Sequence, residues 1–96
     1  MFNVSFSTVT DNADAAQKAA VALQQHATDD CKITVAKQDN MFYSVTQERL
    51  TNCYTTAVKL FNDTVQQFCE TVAEYIDDEE YPASCYVFDA EGHDVY

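Results

Sequence analysis

Apolar and polar positions alternate at the start of the chain. Phe2-Asn3-Val4-Ser5-Phe6-Ser7 places every second side chain on one face, the period of a half-buried strand. The period then changes. Residues 12–27 are rich in alanine, and Ala16, Ala20, Leu23 and Ala27 recur at spacings of three and four. That spacing predicts a helix with a narrow apolar stripe suited to close packing. Thr10 or Asp11 is expected to cap it, with Asp11 and Asp14 near the positive end of its dipole. Alternation returns in Cys31-Lys32-Ile33-Thr34-Val35 and in Met41-Phe42-Tyr43-Ser44-Val45-Thr46. The turn-forming run Lys37-Gln38-Asp39-Asn40 lies between them, so 31–46 is predicted to be a hairpin.

A longer helix is predicted over 49–76. Leu50, Tyr54, Ala57, Val58, Phe61, Val65, Phe68, Val72 and Ile76 recur at helical spacing. The opposite face carries Asn52, Thr55, Lys59, Asn62, Asp63, Gln66, Glu70 and Glu74. Asp77-Asp78-Glu79-Glu80 ends the helix, and Pro82 blocks its continuation. Ser84-Cys85-Tyr86-Val87-Phe88 reads as a last strand. Ala90-Glu91-Gly92-His93 reads as a turn, and Asp94-Val95-Tyr96 as a short edge strand.

The resulting order, β-α-β-β-α-β, is that of a ferredoxin-like α+β sandwich: a four-stranded antiparallel sheet with two helices on one face. Right-handed crossovers place the first strand centrally. Phe2, Val4 and Phe6 then face the helices. Asn3, Ser5 and Ser7 face an uncovered sheet surface, beside Phe42 and Tyr86 or Phe88. The chain of 96 residues is read as one domain, 1–96, long enough for a core without staples.

Composition narrows the classes further. Apolar residues make up 47% of the chain, too many for a disordered acidic tail. No apolar run reaches the length of a membrane span, and no basic, signal-like leader opens the chain. A cytoplasmic protein is therefore expected. The four cysteines, at 31, 53, 69 and 85, are expected to be reduced, buried thiols. Cys53 and Cys69 sit sixteen residues apart on the predicted helix, about 24 Å, far beyond disulfide reach. No C-x-x-C pair is present, and neither histidine neighbours a cysteine, which argues against a zinc site.

Charge changes the picture most. The formal net charge is −11. The five bases, Lys18, Lys32, Lys37, Arg49 and Lys59, all lie in the first 59 residues, among six acids. Residues 60–96 hold ten acids and no base. Such a chain repels a nucleic-acid backbone and attracts a basic protein surface. Asp63, Glu70, Glu74, Asp77 and Asp78 fall on one stripe, and Glu79 and Glu80 complete the tetrad at the negative end of the helix dipole. Stability alone would favour lysine or arginine there. The competing account is a solvated face that confers solubility. Asp89, Glu91 and Asp94 extend the acidic half.

Two other features are weaker. Exposed aromatics on an open sheet can stack nucleic-acid bases, but here the basic surroundings are missing, so such rings would meet protein, including a second copy of the chain. His26 ends a helix, where a histidine suits the dipole. His93 and Asp94 beside Glu91 offer three close donors without a fourth, so no metal is assigned. The chain has no glycine-rich phosphate loop, nucleophile elbow or His-Glu-x-x-His motif, so no catalytic residue and no cofactor is assigned.

In size, acidity and lack of catalytic motifs, the chain resembles the small acidic proteins that phages encode against host defence, including anti-CRISPR proteins and DNA mimics. The resemblance rests on composition and on the charge layout of residues 60–96. It implies a non-enzymatic inhibitor, active in the host cytoplasm, that presents carboxylates to a basic nucleic-acid-binding protein. The residues expected to make that contact are Asp63, Glu70, Glu74, Asp77, Asp78, Glu79, Glu80, Asp89, Glu91 and Asp94. Three alternatives remain. One is an interaction or homodimerisation module using the open sheet face. Another is a ligand-binding or enzymatic ferredoxin-like domain. The last is a haloadapted domain, which should spread its acids evenly.

Overall fold

The computed structural model describes residues 1–28, 30–38, 41–76 and 83–96. The elements follow in the order β1 (Phe2–Thr10), α1 (Ala13–His26), β2 (Lys32–Lys37), β3 (Tyr43–Thr51), α2 (Tyr54–Ala73) and β4 (Ser84–Phe88). The sheet order is β2-β3-β1-β4, and every pairing is antiparallel. This is the ferredoxin-like two-layer sandwich, with β1 central. Past Phe88 the chain turns back. Val95 N–H donates to the Val87 carbonyl, and a bridge pairs Phe88 with Asp94, so the C-terminal segment lies along the outer edge of β4.

The alternation in β1 has the predicted facing. Val4 and Phe6 are buried under the helices, as are Thr8 and Thr10. Asn3, Ser5 and Ser7 lie on the open face. Phe6 stacks on Phe68 of α2 with ring centroids 5.4 Å apart. Val45, Val87, Leu23 and Val72 pack around this pair. The alanine stripe of α1 buries Ala16, Ala19 and Ala20, which lets the helix approach the sheet closely. Asn12 is the cap, rather than Thr10 or Asp11: its side chain accepts the Ala15 N–H at 3.1 Å. Thr10 instead belongs to β1, and its hydroxyl accepts the Asn12 N–H.

The second helix begins later than the apolar spacing predicts. Residues 49–51 continue β3, because all nine residues of β1 pair with Tyr43–Thr51. Ladder pairing to a central strand outweighs the helical spacing of Leu50. That side chain now projects from the open face, 64% exposed. Tyr86 and Phe88 also occupy the open face, their rings 5.5 Å apart, opposite Ser5 and Asn3. Phe42 does not join them. It precedes β3 at the Thr10 end of β1, where its carbonyl accepts the Gln38 N–H.

The thiols depart from expectation in one respect. All four are free, but they are not uniformly buried: Cys31, Cys69 and Cys85 are half-buried and Cys53 is exposed. Cys53 occupies the N-cap position of α2 rather than a site within the helix. No helix among the described residues is long and apolar enough to cross a membrane.

Candidate functional site

The amphipathic spacing of α2 fixes which side chains face outward. Phe68 and Val72 point into the core, so positions 63, 70 and 74 fall on the opposite side. Asp63, Glu70 and Glu74 are all exposed. At 1.5 Å rise per residue, Asp63 and Glu70 are about 10 Å apart along the axis and Glu70 and Glu74 about 6 Å. Glu70 accepts a hydrogen bond from the Gln66 side chain at 2.9 Å. Among the described residues none of these three carboxylates forms an ion pair. The last turn of α2 contains no base, and its C-cap is Glu74. Lys59, one turn before Asp63, is the base nearest in sequence to the stripe. Asp77, Asp78, Glu79 and Glu80 lie outside the described residues.

Asp89, Glu91 and Asp94 form a separate acidic group. They sit in the return after β4, near the start of α2, where the Tyr54 hydroxyl donates to the Val95 carbonyl. Glu74 caps the other end of the 20-residue helix, about 30 Å along the axis from Tyr54. Asp63 lies midway, next to Asn62, whose side chain accepts a hydrogen bond from the Tyr96 hydroxyl at 3.1 Å, so Glu70 and Glu74 are the acids of α2 remote from the return.

This return is held by Asp89. One carboxylate oxygen accepts the N–H groups of Glu91 (2.9 Å) and His93 (2.8 Å). Gly92 takes the positive φ, 83°, that the tight turn demands. The His93 N–H, followed by those of Glu91 and Gly92 and by the imidazole, outweighs partial desolvation and holds the Asp89 carboxyl below the usual carboxylate range. His93 Nδ1 lies 3.6 Å from both Asp89 and Glu91. One donor atom from each of Asp89, Glu91 and His93 falls within a 4.8 Å cluster. Asp94 points elsewhere and accepts the Tyr96 N–H. The sequence had joined His93 and Glu91 to Asp94. The Asp-x-Glu-x-His spacing around the only glycine is the signal that selects Asp89 instead.

Cys53 also gains chemistry from its place. Its thiol makes no formed cap hydrogen bond. The backbone N–H groups of Thr56 and Thr55 nevertheless favour the thiolate and lower its pKa from the ordinary thiol value. Cys85 is the opposite case: desolvation, with a smaller contribution from the charge and hydrogen bond of Cys69, pushes it up to about 11. His26 stands exposed in the last turn of α1, as expected for a dipole partner.

No family model matches the chain, and no curated protein matches it.

Proposed function

We propose that this protein is a non-enzymatic inhibitor that docks the outward face of α2 onto a basic, nucleic-acid-binding protein surface. The observation that carries this reading is the uncompensated row Asp63, Glu70 and Glu74 on an exposed helix face, running into the dipole's negative end. Glu70 and Glu74 are placed against local stability, whereas Asp63 lies mid-helix, one turn after Lys59. Lysines and arginines of a partner would supply the missing countercharge, as they do for phosphates. On this reading Asp77 to Glu80 continue the row, and the Asp89–Asp94 return contacts a second, more distant part of the partner.

The test is capture from a lysate on the immobilised protein, followed by elution with duplex DNA or RNA. Nucleic acid and this protein need the same basic side chains, so a captured basic protein should be released by nucleic acid. A captured partner that holds this protein and its nucleic acid together would overturn the proposal.

A second reading draws on a different surface. Met1, Leu50 and Tyr86 expose 59%, 64% and 41% of their surface at one end of the open sheet face, with Phe88 beside Tyr86. These side chains favour a homodimer through the sheet. Light scattering of the parent and of Leu50→Glu separates the two: a dimer that Leu50→Glu dissolves supports the sheet contact, and a monomeric parent removes it.

A further inference from the structure

The face of β3 under the helices carries an unusual pair. Gln47 is only 6% exposed, in the middle of the sheet between Phe6 on β1 and Ile33 on β2. Among the described residues no hydrogen bond engages its side-chain amide, which opens onto a cleft; the one sealed side-chain polar atom without a partner is Asn3 Oδ1. Two residues on, Arg49 faces the same way, with its side chain 32% exposed. Among the described residues its one ion pair is a long contact, Nη2 to Asp30 at 3.4 Å, and Asp30 is itself 72% exposed. Most of the guanidinium donors are left free by this contact.

Both residues line a cleft of about 160 Å³ between α1 and α2, also bounded by His26, Thr64 and Gln67. Leu23 and Phe68 give it an apolar wall. In a chain of net charge −11, no carboxylate lines this cleft among the described residues, although Asp30 pairs with its Arg49. It combines one guanidinium, one imidazole, two amides, two hydroxyls and a thiol with a small apolar surface. A cavity of this size accommodates roughly six to eight non-hydrogen atoms.

We propose that the cleft is a binding site for a small organic carboxylate with a second hydrogen-bonding group. The carboxylate pairs with Arg49, a guanidinium fork that matches its geometry. The buried Gln47 amide takes the second polar group, and the short carbon skeleton rests on Leu23 and Phe68. The site is independent of the acidic face of α2 and of any partner bound there.

The probe is L-lactate, with lactamide as its uncharged counterpart, followed by NMR on the labelled protein. Lactate should produce saturable shifts at the Gln47 side-chain amide and Arg49 Nε, and lactamide should not. Arg49→Gln should weaken lactate binding about tenfold or more. Gln47→Leu keeps the approximate size of the side chain and removes its amide, so it should leave the domain folded by circular dichroism and weaken lactate binding. The proposal is overturned if lactate gives no saturable shift at tens of millimolar, if lactamide or chloride gives the same shifts, or if Arg49→Gln binds lactate as the parent does.

Discussion

Replacing Glu70 and Glu74 by glutamine should make the protein more stable. Both lie at the C-terminal end of α2, where no base answers the helix dipole. An acid in that position costs roughly 0.3–1 kcal/mol at low ionic strength. The two are four residues apart, and like charges at that spacing cost roughly another 0.2–0.5 kcal/mol. Glutamine keeps the acceptor oxygen that the Gln66 side chain uses at 2.9 Å. The side chains are exposed, so solvent screening brings the net gain to about 1 kcal/mol. For a domain of this size that raises the melting temperature by about 4–8 °C. Circular-dichroism melts at low salt measure it, and most of the gain should vanish near 1 M salt, where the screening length is only about 3 Å. Relief of the overall charge alone would also stabilise. Asp14→Asn, in the first turn of α1, separates the two causes: it removes the same charge from the favourable end of a dipole and should not stabilise. A double-glutamine variant no more stable than the parent at low salt, or an equal gain from Asp14→Asn, would refute the reasoning.

Other outcomes follow from the sheet and the thiols. Val4→Asp buries an unpaired charge beneath the helices and should unfold the domain, whereas Ser5→Asp on the open face should leave it folded; circular dichroism of the two variants decides. In the native protein Cys53 should be alkylated first and at lower pH than an ordinary thiol, and Cys85 last; mass-mapped iodoacetamide labelling across pH reads the order. Because folding resists ionisation of Cys85 and the unfolded thiol ionises near pH 8.5, its contribution to stability is constant below that pH. The contribution declines as pH rises toward about 11, a trend that Cys85→Ser should abolish in denaturant titrations.

Much of the fold was legible because it rests on short-range periodicity. The two-residue period of Phe2–Ser7 and the close alanine stripe of α1 each specify a face, and the order of elements then leaves few topologies. The start of α2 was not legible. Leu50 and Tyr54 have helical spacing, yet the strand partner that claims 49–51 lies more than forty residues away in β1. Long-range pairing of that kind leaves no local mark. The acids of α2 were placed by the same amphipathic logic, and Asp63, Glu70 and Glu74 do share a face. The separation of Glu70 and Glu74 from Asp89, Glu91 and Asp94 depends on β4 running back beside β1, which charge counting cannot register. Gln47 and Arg49 were hidden for a similar reason: in sequence they are ordinary polar residues, and only the strand's facing turns them toward the core.

The central claim is that the outward carboxylates of α2 are a docking face. The most direct measurement is the affinity of the captured partner for the parent and for the triple variant Asp63→Asn, Glu70→Gln, Glu74→Gln, across a salt series. The variant keeps the shape of the helix and should be at least as stable as the parent. It should bind about tenfold or more weakly at low salt, mainly through slower association, and the two affinities should converge as salt rises. Equal affinity of parent and variant at low salt would contradict the account.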